Sequence, residues 1–216
     1  MLTFIGIGPG DPELLTLKAV RRIREADAIA LSDKGVALRI IGDWIDEKPL
    51  LKLDLPMQGN RKDWEKAHES AAIQILDWLE RYPNVVFPVL GDPGIYASSS
   101  YLLRHVCPHQ PCAVIPGVPA MCAAAAAMGI SLCEKGESLT VLDHFDAGDI
   151  FPEGNCVVMK AGNSMDVLRD AAAGREVYVA RDLGMKHEWL GTLTQMPTGY
   201  RTYFTTAIIP SRTTES

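Results

Sequence analysis

A surplus of positive charge is missing from this sequence. Acidic residues outnumber basic ones 27 to 21, for a formal charge of -6 at pH 7. Binding along a nucleic-acid backbone draws on a basic stripe or patch, so that class of partner is disfavoured. An acidic small molecule would need Lys and Arg gathered locally against the average field. Long apolar runs are also missing: none reaches the ~18 residues that a membrane span requires. No basic segment followed by an apolar stretch opens the chain, so no secretory leader is expected. The five cysteines, Cys107, Cys112, Cys122, Cys133 and Cys156, are odd in number and never in C-x-x-C spacing. They are expected to be free thiols in a reducing cytoplasm, each packed as a small hydrophobe. The motifs G-x-S-x-G and H-E-x-x-H and a Walker lysine are absent too, which removes support for hydrolase, zinc-protease and P-loop chemistry. His144 and Asp146 find no third ligand at a recognisable spacing. They read as a solvated loop, and no metal is expected.

What is present suits a globular protein with a substantial core: 216 residues, 47% apolar and 22% charged. Strands and helices alternate through the first half. Leu2 to Ile7, Ala28 to Leu31, Leu50 to Leu55, Val85 to Leu90 and Cys112 to Ile115 read as strands. Helices are expected after Thr16, over Val36 to Ile45, from Asp63 as N-cap to Tyr82, and over Ile95 to Val106. The unbroken apolar run Val85 to Leu90 marks a strand covered on both faces. This alternation argues for a mostly parallel α/β sheet. Pro116-Gly117-Val118-Pro119 is a plausible joint, dividing the chain into domains 1–115 and 116–216. The second half mixes an Ala-rich helix over Met121 to Met128, strands at Ser138 to Leu142, Cys156 to Lys160 and Glu176 to Ala180, and a helix over Ser164 to Ala173. It ends in Trp189 to Leu193 and Thr202 to Ile209, which look like an antiparallel pair or meander.

Two glycine-rich turns stand where α/β sheets bind ligands, at the ends of strands. Gly6-Ile7-Gly8-Pro9-Gly10-Asp11 follows a strand and precedes a helix, but Pro9 and Pro12 remove backbone donors and position 11 is Asp, not a third glycine. A dinucleotide site is weakly supported; a structural turn and a ligand loop remain equally open. In Leu90-Gly91-Asp92-Pro93-Gly94-Ile95-Tyr96, Asp92 can accept from a ribose or an amino group, take a proton, or simply cap the following helix.

Four segments, in order and over nearly the whole chain, resemble one family, the tetrapyrrole methylases. The opening Gly6-Ile7-Gly8-Pro9-Gly10-Asp11-Pro12-Glu13-Leu14-Leu15-Thr16-Leu17-Lys18-Ala19 is similar to their first signature. Gly91-Asp92-Pro93-Gly94-Ile95-Tyr96 resembles their G-D-P-x-x-Y loop, Pro116-Gly117-Val118-Pro119-Ala120 their P-G-V-S-S turn, and Val157-Val158-Met159-Lys160 their strand ending in Met. Leu53-Asp54-Leu55-Pro56-Met57, Tyr96 to Leu103, and Tyr203 to Ile209 resemble the members that methylate precorrin-2, or its cobalt form, at C(20). Alternatives are another precorrin ring carbon, or a non-catalytic homologue that binds the cofactor. Pro119 and Ala120 stand where the family carries hydroxyl residues.

The resemblance implies two α/β domains, the first with a mostly parallel sheet and the second with a mixed one. It implies S-adenosyl-L-methionine in the cleft between them and a cytoplasmic homodimer acting on a small tetrapyrrole, with neither nucleic acid nor membrane as partner. By position, it implies cofactor contacts from Pro9, Leu90, Gly91, Asp92, Ile95, Tyr96, Ala120, Met159 and Ala207. Asp92 and Tyr96 are the candidates for a general base. Lys34, Arg39, Arg61, Lys160 and Arg181 are the candidates to meet the carboxylates of the macrocycle.

Overall fold

The structure, a computed structural model, describes residues 1–32, 35–56, 61–172, 174–197, 199 and 201–211, with Arg61 described by its backbone alone. The chain divides into two compact units, Met1–Pro119 and Ala120–Ser216. Among the described residues no helix is long and apolar enough to cross a membrane.

In the first unit β1 (Leu2–Gly6), β2 (Ala28–Ser32), β3 (Leu50–Leu53), β4 (Val85–Val89) and β5 (Cys112–Ile115) form one sheet in the order β3-β2-β4-β1-β5, with every pair parallel. Strand alternation sends Leu2, Phe4, Val85 and Phe87 to one face, where Ala71, Ala72 and Ile75 of α3 (Arg61–Arg81) and Leu102 and Val106 of α4 (Ser99–Val106) cover them. Ile5, Ile29, Leu31 and Val86 point the other way, against Ala19 and Ile23 of α1 (Leu17–Glu25) and Ile40 and Ile41 of α2 (Val36–Ile41). All five residues of β4 are buried, as its unbroken apolar run requires. Thr16 caps α1, its hydroxyl accepting from the Ala19 N–H at 3.1 Å.

The second unit is mixed. Strands β6 (Leu139–Leu142), β7 (Asn155–Val158), β8 (Tyr178–Arg181), β9 (Trp189–Thr192) and β10 (Thr205–Ile209) lie in the order β6-β7-β10-β8-β9. Only β6 and β7 run parallel. Small side chains of α5 (Ala120–Met128), Ala124 and Ala125, pack closely on Val157, Ala180 and Ile208. Met165 and Leu168 of α6 (Met165–Ala171) cover Cys156, Val158, Val179, Ala207 and Ile209 on the opposite face.

Several expectations are corrected. Asp63 does not cap α3, which already begins at Arg61, so Asp63 sits in its first turn. Helix α4 starts at Ser99 rather than Ile95, because Tyr96 adopts a left-handed φ of 46° that no helix tolerates. The last two strands are not partners: β10 pairs with β7 and β8, and β8 separates it from β9. The cysteines are not five free thiols. The short link from α4 to β5 brings Cys107 and Cys112 to a Cα separation of 5.5 Å and they form a disulfide. Cys122 and Cys133 are exposed, and only Cys156 is a buried free thiol. Burial pushes the Cys156 thiol up to about 11, against the nearby Arg175 charge.

A buried imidazole lies in the first unit. The His68 ring on α3 is buried, tilted against the Trp64 ring at a centroid distance of 3.8 Å and 5.5 Å from the Tyr101 ring. Its Nδ1 bonds the Trp64 carbonyl at 2.8 Å, so Nδ1 carries the proton. Nε2 is buried and has no hydrogen-bond partner among the described residues. Burial lowers the His68 pKa, the Trp64 carbonyl opposes that shift, and His105 adds to it.

Candidate functional site

Because every strand of the first sheet is parallel, the loops after β1, β4 and β5 leave the same edge, and β1 lies between the other two. A ligand of an open α/β sheet sits at such an edge. Three glycines bring these loops together. A Cβ on Gly6 would come within 2.8 Å of the Gly91 carbonyl oxygen and overlap the Gly117 backbone outright. A Cβ on Gly117 would lie 2.7 Å from the Gly6 backbone. The first glycine of the opening motif therefore serves the approach of another loop rather than that of a phosphate. Gly8 and Gly91 both have positive φ, 72° and 70°. The Gly91 N–H donates to the Gly8 carbonyl at 2.8 Å, which holds the Pro9 turn beside residue 91.

Asp92 neither caps α4, whose N-cap is Ser98, nor points free. Its Oδ1 accepts the Gly94 N–H at 2.7 Å and its Oδ2 accepts the Gly117 N–H at 2.9 Å. Tyr96, at the end of the same loop, is 45% exposed in its left-handed conformation, a strained state that loops keep where the surroundings demand it.

The chemistry of these loops selects among ligands. Residues 6–16, 90–98 and 116–119 contain Asp11, Glu13 and Asp92 but not one Lys or Arg. A phosphate-rich dinucleotide finds no cation there, and Pro9 and Pro12 withhold N–H donors. A ligand carrying positive charge fits, since each Asp92 oxygen keeps a lone pair beyond the backbone bond it accepts.

The second unit offers a different edge. The register places the end of β7, the end of β8 and the start of β10 together. Two non-glycine residues there are left-handed: Lys160 after β7, φ 55°, and Asp182 after β8, φ 48°. The Asp182 carboxylate accepts from the Thr202 hydroxyl at 3.0 Å, and its N–H donates to the Phe204 carbonyl at 2.8 Å. The Lys160 ammonium lies 5.6 Å from the Tyr203 ring and the Arg181 guanidinium 5.9 Å from the Trp189 ring, both within cation–π range. Arg181 is only 8% exposed.

Of the residues singled out in the sequence, Pro9, Leu90, Gly91, Asp92, Ile95 and Tyr96 share the edge of the first sheet. Ala120 opens α5, Met159 follows β7, and Ala207 lies in mid-β10 opposite Val158, fully buried. Among the basic candidates, Lys160 and Arg181 meet at one edge of the second sheet, while Arg39 is exposed on α2 of the first unit. Lys34 and the Arg61 side chain lie outside the described residues. His144 is exposed and contacts Asp143 at 2.7 Å and Asp146 at 3.9 Å. Among the described residues no group of three potential ligands could hold a metal ion. Missed in the sequence were the Gly6–Gly117 contact and the aromatic partners Trp189 and Tyr203. The glycines themselves were visible, but nothing local says which loops meet.

The sequence pattern of the tetrapyrrole (corrin/porphyrin) methylases matches residues 1–196. The chain is 32% identical to a probable cobalt-precorrin-2 C(20)-methyltransferase of Methanocaldococcus jannaschii over 64% of its length, and spans 61% of that relative, less than two thirds. It is 28% identical to the precorrin-2 C(20)-methyltransferase of a Sinorhizobium species over 95% of this chain and 93% of that one. The uroporphyrin-III C-methyl transferase of Thermus thermophilus, solved in complex with S-adenosyl homocysteine, shares the fold with a TM-score of 0.69 at 20% identity, covering 97% of this chain and 91% of that one. With nearly the whole chain matched, and both sheets as the motifs imply, this protein belongs to the tetrapyrrole methylase family.

Proposed function

We propose that the protein transfers a methyl group from S-adenosyl-L-methionine to C(20) of precorrin-2 or cobalt-precorrin-2. One observation carries the choice of donor: three converging loops that hold carboxylates and backbone but no Lys or Arg suit a cationic sulfonium and not a phosphate. The choice of acceptor rests on the two C(20)-methyltransferases to which the chain is similar, one over 95% of its length.

Pro9, Leu90, Gly91, Asp92, Ile95 and Tyr96 of the first unit, with Ala120, Met159 and Ala207 of the second, are the residues we assign to the donor. Bound there, S-adenosyl-L-methionine supplies an electrophilic methyl whose departure leaves a neutral thioether, so no acid is needed. The protein's task is then to orient two reactants and exclude water, which contributes on the order of 7–11 kcal/mol. Lys160 and Arg181, backed by Tyr203 and Trp189, are assigned to carboxylates of the macrocycle, with Arg39, Lys34 and Arg61 as further contributors. The same reading makes the protein a cytoplasmic homodimer, which light scattering of the purified protein tests.

The deciding experiment incubates the protein with methyl-labelled S-adenosyl-L-methionine and precorrin-2, with and without cobalt, and locates the label by carbon NMR. Label at C(20) is the expected result; label at another ring carbon, or none, overturns the assignment.

A further inference from the structure

Asp92 was open to two chemical roles, base or ligand contact, and its geometry favours a third. Its two carboxylate oxygens are each engaged by a different loop: Oδ1 by the Gly94 N–H of its own loop, Oδ2 by the Gly117 N–H of the loop after β5. The same two loops touch again where the Gly91 carbonyl lies against Gly117, so closely that a Cβ on Gly117 would overlap the Gly91 carbonyl oxygen. The Ile95 N–H closes the turn on the Asp92 carbonyl at 3.2 Å. The side chain thus ties two loops, while the main-chain carbonyl of the same residue closes the turn in its own loop. Only an ionised carboxylate offers an acceptor in both directions; an amide offers one oxygen and an NH₂ that would face an N–H. A proton taken on the remaining lone pair of either oxygen would neutralise the carboxylate and turn two charge-assisted bonds into weaker neutral ones.

We infer that Asp92 is a positioning residue: its carboxylate clamps the loop after β5 to the loop after β4 and so sets the backbone that faces the methyl donor, and it does not remove the proton from the methylated product. This rests on the donor assignment above for its functional consequence, while the clamp itself is independent of it.

The test uses the full chain and three variants, Asp92→Asn, Gly117→Ala and the double variant. Amide exchange followed by NMR comes first. Slow exchange at Gly94 and Gly117 in the parent is expected, with faster exchange at Gly117 in Asp92→Asn; fast exchange at Gly117 in the parent removes the clamp without recourse to any variant. Calorimetry with S-adenosylhomocysteine comes second. Losing one charge-assisted bond should weaken affinity about tenfold in Asp92→Asn. Gly117→Ala breaks the same clamp from the other side, so the double variant should bind no worse than the weaker single one; fully additive losses would contradict a shared clamp. Third, the pH dependence of methyl transfer at saturating donor should keep its shape in Asp92→Asn, with kcat/KM falling more than kcat. Parent-like affinity with a collapsed kcat and a lost acidic limb would make Asp92 the base and overturn the inference. If the parent binds no S-adenosylhomocysteine, the donor assignment fails, and the exchange data still decide the clamp.

Discussion

The two units present opposite chemistry at the edges of their sheets. In the first, the loops after β1, β4 and β5 are held by glycine contacts and the Asp92 carboxylate, and they carry no cation. In the second, Lys160 and Arg181 flank the start of β10, each against an aromatic ring. On the assignment proposed above, the difference would let an acidic protein handle a cationic donor and a polycarboxylate acceptor at once. A net charge of -6 gives no long-range pull on the acceptor, so its binding must rest on a few close pairs, which salt screens less than distant ones. With no cationic side chain in its loops, the first edge offers the acceptor's carboxylates nothing to pair with if it holds the donor as proposed.

The sharpest way to break this contrast is at Gly91. With φ 70° and its carbonyl against Gly117, Gly91→Val should abolish binding of S-adenosylhomocysteine while circular dichroism still reports a folded chain. Unchanged affinity would show that the first edge does not hold the donor. The next largest effect belongs to the second edge. Arg181→Ala should weaken binding of a stable precorrin analogue roughly ten- to a hundredfold, the value of one buried charge-assisted contact, with little change for S-adenosylhomocysteine. Absorbance titration separates the two ligands, and loss of both would deny the division. Arg39→Ala, at an exposed position, should cost the macrocycle about 1 kcal/mol or less. A larger loss in the same titration would bring the first unit into acceptor binding.

A smaller effect concerns stability and only the first unit. His68 has its folded pKa lowered below 6.5, so between the two values the unfolded chain binds more protons than the folded one. Its neutral burial is therefore stabilising above about pH 6.5, and that contribution shrinks as pH falls through the unfolded value. Thermal melts from pH 7.5 to 5.5 should show a decline that His68→Gln reduces; identical pH slopes in parent and variant would remove His68 as the cause.

The layered fold was legible because its signals are local. The run Val85 to Leu90 could only be a strand covered twice, Thr16 is a ready N-cap, and Gly and Pro punctuate the strand ends. What escaped was non-local. Helix α4 starts later than helical spacing implies because Tyr96 is left-handed, and spacing carries no trace of that. The insertion of β10 between β7 and β8 is a long-range pairing invisible to periodicity. The Cys107–Cys112 bridge depends on how tightly the chain turns after α4. In the site, the first-edge residues were visible as motifs, whereas the basic residues had only their charge to mark them. Arg181 and Lys160 come together through strand register, and Arg39 belongs to α2 of the first unit.

The most direct measurement of the central claim is a calorimetric titration of the parent protein with S-adenosylhomocysteine in the presence of a metal chelator, alongside a dinucleotide as control. Saturable binding of the former, undiminished by the chelator, with none of the latter, is the expected result. No heat and no thermal shift at millimolar S-adenosylhomocysteine would contradict the account, because a cation-free, glycine-joined edge would then have no donor to hold.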